Sequence, residues 1–372
     1  MDFGFSEEQT ALRDLAKQIL DDHCSHEKLK VIERDPDWFA HDAWSALGQA
    51  SLLGVAIPES CGGSGLGFTE LALLLEQVGA SVAPVPAWGT LVLGALPIAA
   101  FGTPAQQERL LAPLAKGTGF VTTALTELPA EDPLHPGTTA TRDGGGWRLE
   151  GVKDCVPAVN LGATMLIPAR TGEETVGLFL VRPDANGVKT TAQIATNKEV
   201  LAEVRLADVR VGADDVLGDP TRGRDILAWL LPRAVAGLCA ITLGVVERAL
   251  RITARYTTER KQFDRPIGSF QAVHQRVGDA WIDVESIRLT AWQAVWRLEQ
   301  GLPADDEVTI AKYLAGEAGH RVVYAAQHLH GGIGTDVDYP IHRYYLWQRA
   351  LELTLGSGSR HLARLGSALA AA

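Results

Sequence analysis

Apolar residues recur through the first hundred positions at the three- and four-residue spacing of a helix. Leu12, Leu15, Ala16, Ile19 and Leu20 fall on one face, as a 3.6-residue period requires. Ser6 precedes that run and Gln9 follows it three residues on, so the pattern predicts a helix opened by a capping box. The same spacing predicts helices over 70–78, 91–100 and 104–114. The stretch Ser51–Gly67 (SLLGVAIPESCGGSGLG) interrupts them with Pro58 and a cluster of glycines. It reads as a loop in which the backbone can take positive φ and approach neighbours closely.

From about residue 120 the period shortens to two. Gly146–Gly151, Val176–Val181 and Glu203–Val209 alternate, with turn sequences at Asp143–Gly146 (DGGG) and Asp184–Gly187 (DANG). These features predict a small antiparallel β domain. Beyond residue 218 the helical period returns over 225–259, 270–298 and 306–328, with Pro232 as a place for a kink. The glycine-rich break His330–Gly334 (HGGIG) leads through Pro340 to a last helix. The expected fold is mainly α with a central antiparallel β domain. It divides into 1–119 (helical), 120–218 (β) and 219–372 (helical bundle).

Composition narrows the function classes. Of 372 residues, 46% are hydrophobic, which supplies a large core, and the net charge is −11. A negative field argues against nucleic acid or an anionic membrane surface as a general partner. The longest apolar stretch, 226–246, contains Pro232 and Arg233, so a buried core helix is expected and not a membrane span. Cys24, Cys61, Cys155 and Cys239 are scattered without a C-x-x-C pair. No disulfide framework or zinc site follows from that spacing, and a cytoplasmic location is expected. The opening MDFGFSEEQ carries acids where a signal peptide has bases. His328, His330 and His342 lack accompanying acids or cysteines, so no metal centre is expected.

Two motifs carry chemistry. Thr258–Gln271 (TERKQFDRPIGSFQ) sets Arg260, Lys261 and Arg265 around Phe263 just before Pro266. Guanidinium groups fork onto phosphate oxygens, and an aromatic ring can cover a second ring system, so this helix end suits a diphosphate ligand. A solvated cationic helix end is the alternative. Gln327–Gly334 (QHLHGGIG) lets backbone N–H groups approach an anion or a ring. No G-x-G-x-x-G lies between a strand and a helix, and no phosphate loop or nucleophile elbow is present.

Taken in order, several segments resemble the acyl-CoA dehydrogenase family. They are FSEEQ-x-x-LRD at Phe5–Asp14, LLGVAIPESCGGSGLG at Leu52–Gly67, GTPAQQERLLAPLAKG at Gly102–Gly117, and the Trp147-x-Leu149-x-Gly151-x-Lys153 strand. RKQFDRPIGSFQAV at Arg260–Val273 and HLHGGIG at His328–Gly334 complete the set. The resemblance implies a helical N-terminal domain, a middle β domain and a C-terminal four-helix bundle. It further implies FAD as cofactor and α,β-dehydrogenation of an acyl-CoA substrate. Arg260, Gln262 and Phe263 would reach the FAD of a neighbouring subunit. His328, Leu329, His330, Gly331 and Gly332 would line its adenine and diphosphate, with His328 standing where the family usually has glutamine. Thr126 and Arg233 fall on the substrate side.

The chain departs from the family where catalysis would begin. One usual position of the catalytic carboxylate falls in Thr354–Ser359 (TLGSGS), where Leu355, Gly356 and Ser357 carry no acid. The other falls at Ala234. The family's T-E-P-x-x-G-S-D becomes Thr126–Asp132 (TELPAED), and its K-x-W-I-T becomes Lys153–Pro157 (KDCVP). The resemblance therefore implies a subunit that needs a homologous, base-bearing partner, as a heterotetramer built as a dimer of dimers. A homo-oligomer is the other assembly, and an electron-transfer flavoprotein is the expected acceptor. His328–Tyr345 resembles base-less subunits of bacterial steroid-type enzymes. The alternatives are a non-catalytic flavin-binding subunit and a self-sufficient enzyme with altered chemistry, using Asp225 or Asp279.

Overall fold

A computed structural model describes residues 4–128 and 132–371. Helix α1 (Glu7–His23) opens as its sequence requires: the Ser6 hydroxyl accepts the Gln9 N–H at 3.1 Å and the Gln9 side chain accepts the Ser6 N–H at 3.0 Å. Then come α2 (His26–Ile32), α3 (His41–Gln49) and α4 (Phe68–Ala80). The helix expected over 91–100 is instead a π-helix, Trp88–Ala95, followed by α5 (Leu96–Phe101). Pro97 has no N–H to offer the Leu93 carbonyl, and the Thr123 hydroxyl donates to it instead. A Cβ on Gly94 would lie 2.1 Å from the Val121 carbonyl oxygen, so the wider turn lays bare backbone on the neighbouring strand. A second capping box, Thr103 with Gln106, starts α6 (Pro104–Ala115).

The sheet contains β1 (Val121–Thr123), β2 (Thr139–Asp143), β3 (Gly146–Pro157), β4 (Thr164–Arg170), β5 (Val176–Val181), β6 (Val188–Ile194) and β7 (Val200–Val211). Strand order is β1-β4-β2-β3-β7-β6, with β5 on β4. The sheet is not antiparallel throughout: β1 pairs parallel with β4 (Val121 opposite Thr164), and β2 meets β4 in parallel at Thr139 and Arg170. Alternation in a strand reports which face is buried, not the direction of its neighbour, so the sequence pattern is blind to this. One face carries the core of Trp147, Met165, Ile167, Phe179 and Val204. The β3–β7 register shifts between Lys153 and Val156. That bulge holds Cys155 at φ 52° and leaves it exposed.

The C-terminal helices are α7 (Gly223–Glu259), α8 (Gln271–Glu299), α9 (Asp305–His330), α10 (Ile341–Leu353) and α11 (Gly358–Ala371). Helix α7 runs without a break through Pro232. Its most apolar window is 72% buried, as befits a core helix. The single last helix read from the sequence is two, α10 and α11, divided at Thr354–Ser357.

The chain forms two compact units. One comprises Met1–Lys30, Ala72–Ala83 and Val235–Ala372, and the other Val31–Leu71 and Pro84–Ala234. Within the first, a Cβ on Gly244 would meet the Glu76 carbonyl oxygen at 1.9 Å and one on Gly79 would meet that of Ile241 at 2.0 Å. The backbones of α4 and α7 touch there, and glycine is required at both positions.

Candidate functional site

The basic helix end folds into a tight hairpin. After α7 the Arg260 N–H still bonds Tyr256 O at 2.8 Å. Lys261 and Gln262 then pair with Pro266 and Arg265. The two turn residues, Phe263 and Asp264, have φ of 53° and 62°. A two-residue turn with both φ positive is normally built from Asn-Gly or Asp-Gly; a phenylalanine held there costs about 1–2 kcal/mol. Its ring is not buried in return, being 86% exposed. A strained and exposed large ring makes Phe263 a candidate for contact with a ligand or another chain. Arg260, Lys261 and Gln262 are exposed beside it. Arg265 is otherwise engaged, its guanidinium 4.1 Å above the Phe270 ring.

The glycine turn lies in the same unit. Helix α9 ends at Gly331, whose φ of 61° and ψ of −138° suit only glycine. A Cβ on Gly331 or Gly332 would meet nothing within 4 Å, so both present bare backbone to open space. Gly334 is structural: a Cβ there would strike Gln327 O at 2.7 Å, and the Gln327 amide donates to Gly334 O. His328 is exposed and Leu329 half-buried, but His330 is buried. The His330 side chain, expected to line a ligand, turns into the protein. Its ring stacks on Tyr256 with centroids 4.3 Å apart. Tyr256 is one helical turn before Arg260, so this stack joins the basic hairpin to the glycine turn. An exposed fork of cation and aromatic beside bare glycine backbone fits a dinucleotide diphosphate.

Two positions, Ala234 and the Leu355–Ser357 loop, stand where the family usually carries its base. Ala234 is fully buried and its carbonyl accepts the Trp88 indole N–H at 2.9 Å. Leu355 takes φ 56° and Gly356 φ 104°. The His361 ring nitrogen Nε2 lies 3.1 Å from Leu355 O. Burial pushes the His361 imidazole down to about 4, so it is neutral. Buried Lys312 donates to Leu351 O at 2.6 Å and Glu352 O at 3.2 Å, closing the end of α10. The nearby Glu352 carboxylate is occupied by Arg349 at 2.7 Å. Asp225 accepts from Arg222 at 2.7 Å in the first turn of α7. Asp279 is exposed, and Arg276, three residues before it on α8, lies over the Tyr324 ring at 5.6 Å.

The two substrate-side residues are structurally engaged. Arg233 donates to Trp229 O at 2.8 Å and stacks on that indole at 3.9 Å. The Thr126 carbonyl accepts the Asp154 N–H at 2.9 Å. Pro129, Ala130 and Glu131 of the altered TELPAED segment lie outside the described residues. Sequence reasoning missed the buried pair that Glu127 of this segment forms with Lys153. Lys153 Nζ bonds the Glu127 carboxylate and Pro168 O, both at 2.7 Å or less, and Glu127 also accepts the Gly137 N–H at 2.6 Å. It also missed Trp88, Tyr256 and Tyr339; the spacing of Tyr256 to Arg260, four residues on one helix face, was the available signal. Among the described residues, no group of three His, Cys, Asp or Glu could hold a metal.

Two family models match the chain: the acyl-CoA dehydrogenase N-terminal domain over residues 6–118 and the acyl-CoA dehydrogenase C-terminal domain over 221–370. The acyl-CoA dehydrogenase FadE27 of Mycobacterium tuberculosis is 37% identical over 378 residues, covering 100% of this chain and 99% of that protein. Among solved structures, a chain of the Tcur3481-Tcur3483 steroid ACAD G363A variant is 44% identical with a TM-score of 0.91, covering 98% of each chain. A chain of the ChsE4-ChsE5 complex from Mycobacterium tuberculosis is 37% identical with a TM-score of 0.93, covering 100% of this chain and 99% of that one.

Proposed function

The chain belongs to the acyl-CoA dehydrogenase family, a family of FAD-dependent oxidoreductases, and we propose that it serves there as a base-less subunit completing the FAD site of a homologous partner. The observation that carries this reading is an asymmetry. The hairpin and the glycine turn keep exposed the groups that would meet a dinucleotide, with His328 in place of the usual glutamine, whereas both base positions hold residues that cannot accept a proton, Ala234 and Leu355. Dehydrogenation of an acyl thioester needs a carboxylate aimed at the α-carbon. A homologue bearing that carboxylate supplies it.

FAD, when bound, supplies the hydride acceptor. Arg260 and Gln262 would hold its diphosphate, Phe263 would cover a ring of the cofactor, and the Gly331–Gly332 backbone would donate N–H groups. This chain's own flavin-facing strand supports the same division of labour. Cys155 and Pro157 stand where the family contacts the ring, and Pro157 packs so tightly on Gly89 that a Cβ there would meet it at 2.9 Å. Partner docking is supported by α8, whose Trp281 and Ile282 are 59% and 62% exposed. Exposed aromatic and branched residues of this size mark interfaces. One similar structure is described as a ChsE4-ChsE5 complex and another as a Tcur3481-Tcur3483 steroid ACAD, which favours a heterotetramer and a steroid-type acyl-CoA substrate. An electron-transfer flavoprotein is the natural acceptor, and four unpaired cysteines suit the cytoplasm.

The test is flavin content. Co-purified with a base-bearing homologue, the chain should yield about one FAD per pair of chains and, purified alone, little or none. A full complement of FAD on the chain by itself would contradict the proposal.

A further inference from the structure

We infer that His330 is a positioning residue, an internal latch that sets the distance between the basic hairpin and the bare glycine turn. This rests on the reading of those two elements as a dinucleotide grip. The His330 ring is 3% exposed, and each of its edges and one face is committed. Nδ1 lies 2.7 Å from Ala326 O, a carbonyl that can only accept, so Nδ1 carries the proton and donates. That leaves Nε2 as a bare acceptor, and the Tyr339 hydroxyl, 3.3 Å away, donates to it. The face stacks on Tyr256 at 4.3 Å with planes 26° apart. The Tyr256 hydroxyl in turn sits 3.5 Å from His330 O.

Three segments meet at this one imidazole: the last turns of α7 ahead of Arg260, the end of α9 ahead of Gly331, and the loop that carries Tyr339. The ligand-facing groups themselves, Arg260, Phe263 and Gly331–Gly332, are exposed and make no such contacts with one another. Their separation is therefore held from behind. A side chain that orients binding groups without touching the ligand acts through geometry, where small displacements are felt as large losses of affinity.

The grip addresses the adenosine and diphosphate end of FAD, so the latch should matter for FAD and not for FMN, which lacks that end. The experiment titrates FAD and FMN by flavin fluorescence against the full chain, in whichever wild-type preparation takes up FAD, alone or with its co-expressed homologue. Variants are His330→Ala, His330→Phe and Tyr339→Phe. His330→Ala should raise the FAD dissociation constant about tenfold or more while leaving that for FMN within about twofold. His330→Phe, which keeps the ring stack, should recover part of the loss, and Tyr339→Phe should show a smaller FAD-selective loss. Unchanged FAD binding in His330→Ala overturns the inference. So does an equal loss for FAD and FMN, which would mean a general structural role. A wild type that takes up no FAD in either preparation overturns the proposed function, and the latch with it.

Discussion

Glu76 and Lys153 are both buried and titratable, yet their neighbours give them opposite consequences. Burial, reinforced by Glu247, pushes the Glu76 carboxyl up from 4.5 to about 7, against the smaller pull of Arg288 and Arg13. With its folded value raised, Glu76 imposes no penalty below the ordinary value of 4.5. The penalty grows as pH rises and is complete above about 7. Glu76→Gln should therefore stabilise the protein by about 2–3 kcal/mol above that range, with the gain fading as pH falls. Thermal melts across pH check it; a gain independent of pH would contradict it. Burial likewise pushes the Lys153 ammonium down to about 8, but Glu127 holds the charged form in place. Lys153→Met leaves Glu127 buried without its cation and should cost about 3–5 kcal/mol. Adding Glu127→Gln should recover part of that in urea unfolding. Glu76 did not stand out in the sequence, and Lys153 was noted only as a motif residue, because neither is legible as a buried charge until the fold brings its partners together.

At the scale of elements, the hairpin after α7 contains its own test. Asp264 sits at φ 62° in a turn that glycine would occupy without strain. Asp264→Gly should stabilise the folded chain by up to about 1 kcal/mol with FAD binding retained, read as a shift in melting temperature. Phe263→Ala removes an exposed ring, so it should leave the melting temperature within about 1 °C while abolishing the FAD uptake of the partnered complex. The order of helices, strands and helices was legible because a period of 3.6 survives in Leu12–Leu20 and a period of 2 in Glu203–Val209, whereas Val176–Val181, expected to alternate, is buried throughout. The capping boxes at Ser6 and Thr103 follow from local chemistry alone. The π-helix at Trp88–Ala95, the parallel β1–β4 pairing and the division of α10 from α11 were not legible. Each depends on a distant group: the Thr123 hydroxyl on Leu93 O, the Val121–Thr164 register, and Lys312 closing α10.

For the whole molecule, the two motifs that the sequence singled out, the hairpin and the glycine turn, are joined in the structure through the stacked rings of Tyr256 and His330. His330 was read from the sequence together with its neighbours as a ligand-lining residue; that its side chain is buried became visible only in the fold. This subunit should be unable to start the dehydrogenation itself, because Ala234 and Leu355 stand where the family usually carries its proton acceptor. The most direct measurement is the rate of dye reduction with acyl-CoA thioesters, steroid-type included, by the purified chain alone and co-expressed with a homologue that retains the carboxylate. The expected result is turnover only in the co-expressed complex, lost when the homologue's carboxylate is replaced by its amide. Turnover by the isolated chain at the rate of the complex would contradict the account.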